Sequence, residues 1–258
     1  MEEFPADVRA VVLATPTPTH YVLAKVLLER GLHVFVEKPL TEKVEEAEEL
    51  ITLAQNRGLV LQVGHIERFN PAVMELTRHA RDPLFIQADR LGPFDLRVAH
   101  VGVVLDLMIH DLDIVLALVK DKIVRLDAMG GKIFSAHEDI AKVTLHFSRG
   151  CRADITASRA SLKKFRKIRV FQKDAYLSLD YSDKSLQVVQ KKDGPLTSVF
   201  DMSVRHPKIE QKDALETELR HFIACVQEGK SPLVSGQHGR DALELALEIR
   251  RAMKVHSL

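Results

Sequence analysis

Cysteine is scarce in this chain: Cys151 and Cys225 are the only two among 258 residues. They lie far apart and match no metal-ligand spacing, so no metal site is expected. Buried thiols in a reducing cytoplasm are the expectation. A surplus of one charge is lacking too. Lysine and arginine number 37 against 36 aspartates and glutamates, which argues against a nucleic-acid or membrane-surface partner, since either would ask for a basic excess. No apolar run approaches the roughly 18 residues that a membrane span needs. The opening stretch, MEEFPADVRA, is acidic and has no apolar h-region, so no secretory signal is visible. Internal repeats and low-complexity tracts are missing as well. What is present is a chain 46% hydrophobic, long enough for two modest domains or one large one around a real core.

The first 65 or so residues spell β-α-β-α-β. RAVVLA (9–14) is a compact apolar run ending in TPTPTH, as a buried strand ending in a rigid loop would. Helical spacing follows over 19–30, with Thr19 as a candidate N-cap and Gly31 as the stop. A strand over 32–37, a helix over 44–57 closed by Gly58, and the apolar run LVLQV complete the unit. Short apolar strands alternating with amphipathic helices predict a parallel sheet with helices on its faces. Further on, the pattern predicts a helix over 67–80, a strand over 84–91 and a long apolar helix over 102–119. From 122 to 190 strands follow one another, separated by turn signals at Arg149-Gly150, Lys173-Asp174 and Ser182-Asp183-Lys184, which implies antiparallel pairing. Helices over 211–228 and 237–252 close the chain. The expected fold is α/β: a partial parallel sheet over 1–65, then a larger α+β domain over 66–258 with a mostly antiparallel sheet, its last helices packing back on the first domain.

Three places carry chemistry. In open parallel sheets, ligands bind beyond the carboxyl ends of the strands. Thr15-Pro16-Thr17-Pro18 and Glu37-Lys38-Pro39 both sit at such ends. Proline restricts the residue before it, so Lys38 is held, and a held lysine beside a carboxylate can donate to a substrate oxygen or relay a proton. A solvated surface turn with a Glu-Lys pair is the alternative. The second place is VLDLMIHDLDIVLAL (104–118), where α-helical spacing puts Asp106, His110 and Asp113 on one face. A proton-relay face lining a cleft, a core histidine satisfied by a helix-mate acid, and a metal site all suit that pattern, though the metal site has too few ligands. The third is SRASLKKFRKIRV (158–170), with Arg159, Lys163, Lys164, Arg166, Lys167 and Arg169. A solvated strand edge is the simpler reading, an anion site for a phosphorylated substrate the sharper one.

Five stretches in order, VVLATPTPTH (11–20), HVFVEKPLT (33–41), GHIERFNP (64–71), DLMIHDLD (106–113) and PLVSGQHGRDALELALEI (232–249), make the chain resemble the Gfo/Idh/MocA family of NAD(P)-dependent sugar oxidoreductases. The resemblance spans almost the whole chain. It implies a Rossmann-type cofactor domain and a C-terminal domain with a large, mostly antiparallel sheet. It implies that Lys38 lies beside the nicotinamide and the reacting hydroxyl, and that Asp106 and His110 form the family's Asp-x-x-x-His pair with His110 as base. Glu37 and Pro39 would shape the nicotinamide pocket, and Thr15, Pro16, His20 and Arg68 would lie along the cofactor, NAD in preference to NADP. The substrate side would comprise Lys38, Asp106 and His110, with Arg159 and Lys163 of the basic patch facing a diphosphate. A hydride leaving an alcohol carbon requires the hydroxyl proton to leave as well, and a lysine–histidine pair gives that proton a path. The stretches GHIERFNPAV and DLMIHDLDIVL look most like members that oxidise the 3-hydroxyl of a UDP-linked N-acetylated sugar to a ketone. Association through the C-terminal sheet into a homo-oligomer is implied too.

One family feature is missing. None of the 12 glycines forms a G-x-G-x-x-G turn before a helix. The chain reads as an N-terminally truncated Rossmann unit, short by very roughly 60 residues on the βαβ scale. Weak NAD binding is then expected, and a protein that binds sugar nucleotides or a partner without turnover is the alternative to an enzyme.

Overall fold

A computed structural model describes residues 5, 7–192, 194 and 197–257. In chain order the elements are β1 (Ala10–Leu13), α1 (His20–Glu29), β2 (His33–Glu37), α2 (Val44–Asn56), β3 (Leu61–Gly64), α3 (Pro71–His79), β4 (Phe85–Leu91), α4 (Ile109–Val119), β5 (Ile123–Lys132), β6 (Ile140–Phe147), β7 (Arg152–Ser158), β8 (Phe165–Gln172), β9 (Ala175–Asp180), β10 (Ser185–Lys191), β11 (Met202–Arg205), α5 (Ala214–Glu228), α6 (Gly236–Ala252) and β12 (Lys254–Ser257). They divide into two units: Met1–Phe69 with Lys212–Glu244, and Asn70–Gln211 with Leu245–Leu258.

The first unit holds a parallel sheet in the order β1-β2-β3. Val34 and Val36 of β2 pack with Leu27, Leu28, Ala47 and Leu50 of α1 and α2. Phe35, pointing the other way, meets Phe222 and Cys225 of α5, its ring 5.9 Å from that of Phe222. Burial on both faces is why β2 reads as an unbroken apolar run. Gly31 and Gly58 take positive φ at +81° and +63° and end the two helices, as the sequence predicts. Thr19 stands at the N-cap of α1 without capping it: its hydroxyl donates instead to the Pro16 carbonyl at 2.8 Å and lies 2.8 Å from the Thr15 hydroxyl.

The second unit is a nine-stranded sheet in the order β11-β10-β9-β8-β4-β7-β6-β5-β12. Most pairs are antiparallel, as expected for successive strands, but β4 joins β7 and β12 joins β5 in parallel. The periodicity did not foresee β11 or β12. The helix expected over 67–80 begins only at Pro71, because Asn70 Oδ1 accepts the Ala72 N–H at 3.0 Å and Pro71 takes the first helical position; residues 66–69 form a separate 3₁₀ turn. The helix expected over 102–119 also divides. Val104–Met108 is a π turn, and regular α-helix starts at Ile109. A π turn is wider than an α turn, so Asp106 does not keep the α-helical offset from His110 and Asp113 that its spacing predicts.

Candidate functional site

In the first unit the carboxyl ends of β1 and β2 are tied together by one imidazole. His20, 1% exposed at the start of α1, sets Nε2 at 2.8 Å from the Thr15 carbonyl and Nδ1 at 2.9 Å from the Pro39 carbonyl. The residue expected along the cofactor thus staples the two strand-end loops. Beyond β2 the chain makes the turn Glu37-Lys38-Pro39, with a cis peptide at Lys38-Pro39. Thr41, fully buried, closes the turn by donating to the Lys43 carbonyl at 2.7 Å. Glu37 and Lys38 are half-buried and Thr15 and Pro16 exposed. Burial pushes the Glu37 carboxyl above its ordinary value, against the pull of the Lys38 N–H and of the Lys38 and His20 charges. Glu37 lies on Gly64 at the end of β3: a Cβ at Gly64 would stand 2.7 Å from Glu37 Oε2 and 3.1 Å from its Cα. Arg68, half-buried, follows on the 3₁₀ turn after β3. These strand ends carry an exposed hydroxyl at Thr15, a half-buried acid at Glu37 and a half-buried lysine at Lys38. No phosphate-cradling glycine turn accompanies them in the sequence.

In the second unit the polar helix residues separate by role. Asp111 is 2% exposed and takes Arg90 of β4 in a two-point ion pair, Nε to Oδ2 at 2.7 Å and Nη2 to Oδ1 at 2.9 Å. This pair fastens α4 to the sheet and fixes how the helix presents the neighbouring His110. Asp113 is buried, whereas Asp106 and His110 are half-buried. Asp106 and Leu107 line a cavity of about 570 Å³, whose other walls are Arg90, the segment around Phe94, Arg159, Lys164 and Arg166.

Arg159 is 2% exposed, and its donors are engaged within the protein. Nε reaches Asp139 at 2.7 Å, Nη1 the Val98 and Val101 carbonyls at 2.8 and 2.6 Å, and Nη2 Ser135 Oγ at 2.8 Å. Asp139, fully buried, also accepts the N–H groups of Ile133, Phe134 and Ser135. Burial pushes the Asp139 carboxyl up, but those N–H groups and the Arg159 guanidinium outweigh it and hold the acid far below its ordinary 3.8. Arg159 therefore holds the cavity wall in shape. Lys163 is exposed and does not line the cavity. Lys167 and Arg169 point to the opposite face of the sheet, toward Asp180 at 3.0 Å and Gln87 at 3.0 Å.

Sequence reasoning missed the Arg90–Asp111 and Arg159–Asp139 pairs and the stapling role of His20. Their partners are distant in the chain and no local spacing announces them. The one available signal was an acid and an arginine inside runs otherwise apolar, at positions that cannot be buried unpaired. Both cysteines are free and buried, and burial pushes the Cys151 thiol up to about 11. Among the described residues, no helix is long and apolar enough to cross a membrane.

Comparison with known proteins adds the following. Residues 1–65 match the model of an oxidoreductase family with an NAD-binding Rossmann fold, and residues 85–178 match the C-terminal domain of the same GFO/IDH/MocA group. A UDP-N-acetylglucosamine 3-dehydrogenase from Acidithiobacillus ferrooxidans is 34% identical over 250 residues, 96% of this chain and 80% of that protein. Its crystal structure superposes with a TM-score of 0.89, covering 96% of this chain and 79% of that one. A scyllo-inositol 2-dehydrogenase (NAD(+)) from Bacillus subtilis is 26% identical over 255 residues, 92% of this chain and 73% of that protein.

Proposed function

This chain belongs to the Gfo/Idh/MocA family of NAD-binding oxidoreductases, and from that premise we propose that it is a dehydrogenase of a nucleotide-linked sugar, oxidising the 3-hydroxyl of UDP-N-acetylglucosamine to a ketone. The similarity to the Acidithiobacillus ferrooxidans enzyme along 96% of the chain carries this reading. The Glu37-Lys38-Pro39 turn beyond β2 and the Asp106/His110 pair ahead of β5 are the chemical groups it would use. NAD is the favoured cofactor over NADP, and when bound it takes the hydride from the alcohol carbon. Thr15, Pro16, His20, Glu37, Pro39 and Arg68 would hold and orient it.

Lys38 donates a hydrogen bond to the reacting oxygen, and its charge favours the alkoxide character that develops as the hydride leaves. His110 accepts the hydroxyl proton, with Asp106 orienting the sugar beside it. Arg159 serves substrate binding by holding the cavity wall, and Lys163 contributes from the exposed turn ahead of β8. Residues 1–65 form the dinucleotide-binding part, and 66–258 the substrate and oligomerisation part. We place the protein in the cytoplasm as a homo-oligomer of identical chains associated through the large sheet.

Mixing the protein with NAD and UDP-N-acetylglucosamine tests this directly. Growth of the reduced-nicotinamide absorbance band is the expected result. Calorimetric binding of the sugar nucleotide with no such growth would instead identify a binding or partner protein.

A further inference from the structure

The basic stretch around β8 is divided by the pleat. Successive side chains of a strand point to opposite faces, and the register Arg90↔Arg166, Asp89↔Lys167, Gln87↔Arg169 fixes which go where. Lys167 and Arg169 find an acid and an amide on one face. Arg166 lies on the other, directly opposite Arg90, and both line the cavity that holds Asp106.

Two cations directly across a strand pair repel one another. Arg90 is neutralised by Asp111, Arg159 by Asp139, and the cavity's Asp95 by Arg97 at 2.7 Å. Among the described residues neither Arg166 nor Lys164 has such an ion-pair partner, and the buried Nε of Arg166 has no hydrogen-bond partner. A buried guanidinium N–H left unpaired is costly, and it calls for an explanation. The cavity of about 570 Å³ also has Phe94 and Leu96 beside these cations, and an arginine fork matches phosphate oxygens two at a time.

We propose that Arg166, with Lys164 on the exposed rim, binds the diphosphate of the nucleotide-linked sugar, whose ring then lies toward Asp106. This rests on the nucleotide-sugar reading above and names the residues that would select a phosphorylated sugar over a free one. The neutralised arginines Arg90 and Arg159 are scaffold, and the unneutralised pair is the recognition element.

Calorimetric titration of the full chain with UDP, with inorganic pyrophosphate and with free N-acetylglucosamine provides the test. Arg166→Ala should weaken UDP binding by about tenfold or more and Lys164→Ala by a smaller factor. Lys167→Ala, altered on the opposite face, should leave it unchanged. Arg166→Met, which keeps the aliphatic stem, should reproduce the loss with an unchanged melting temperature and so separates binding from folding. UDP binding as tight in both Arg166 variants as in the parent would overturn the inference and leave the nucleotide-sugar reading standing. Arg166-dependent binding of pyrophosphate with no uptake of UDP would uphold the anion site and remove the nucleotide-sugar reading. A parent chain that binds neither UDP nor pyrophosphate would overturn the anion site itself.

Discussion

Lys38 leaves a strand whose three central residues are completely buried and enters a turn whose Pro39 carbonyl is held by His20. The turn that carries it is thereby anchored through the backbone at Pro39. Lys38→Ala should therefore leave the melting temperature nearly unchanged and lower kcat by about 10²–10⁴-fold, the usual worth of a positioned proton donor. Absorbance assays beside a thermal melt check both halves, and full turnover in the variant would discard the relay role. Such a residue is legible in sequence because a charge followed by proline interrupts an apolar run at a strand end. Asp106 and His110 were legible for the same reason, as polar breaks in a nonpolar helix. Asp111 was not singled out from its acidic neighbours: only Arg90, 2.7 Å away in the fold, distinguishes it.

At the scale of elements, the loop ahead of β6 depends on one buried acid. Asp139 gathers three backbone N–H groups of residues 133–135 and the guanidinium of Arg159, which in turn holds the segment around Val98 and Val101. Asp139→Asn leaves Arg159 buried without a counter-charge and should cost about 3–5 kcal/mol in urea unfolding. The acid also predicts a pH dependence. Its folded carboxyl titrates far below the unfolded value of 3.8, so at acidic pH the unfolded chain binds the extra proton. The contribution is complete above the unfolded value and is lost as pH falls from there toward the lower folded one. Urea midpoints measured from neutral to acid pH should fall steeply only in the acid range, and less so in the variant. The elements themselves were read nearly in place wherever a period of two or 3.6 governs, as in β4, α2 and α6. The π turn at Val104–Met108 escaped because it follows from how the segment is held, with Val103 N–H on the Glu138 carbonyl at 3.0 Å and Gly102 crowded against the Glu138 side chain.

For the whole molecule, the proposed association of identical chains rests on the large sheet. On the face carrying Lys167 and Arg169, the register aligns Val204, Val189, Tyr176, Phe171 and Phe85 across five adjacent strands. The rings of Phe171 and Tyr176 lie 5.0 Å apart, and Phe171 is 37% exposed. A contiguous apolar row of this kind suits a second copy of the chain. Phe171→Asp should shift sedimentation toward the monomer while leaving the circular dichroism spectrum intact; an unchanged sedimentation coefficient would place the contact elsewhere. The amino-acid sequence by itself determined the alternation of strands and helices, the glycine stops, the change from parallel to mostly antiparallel pairing and the polar residues at the strand and helix positions proposed for catalysis, because these follow from local periodicity and backbone sterics. Only the tertiary structure decided that β4 lies between β7 and β8, that β12 pairs in parallel with β5, that α5 covers Phe35, and which arginines are neutralised. Those outcomes join residues far apart in the chain, where packing and charge pairing across closed loops outweigh any local preference.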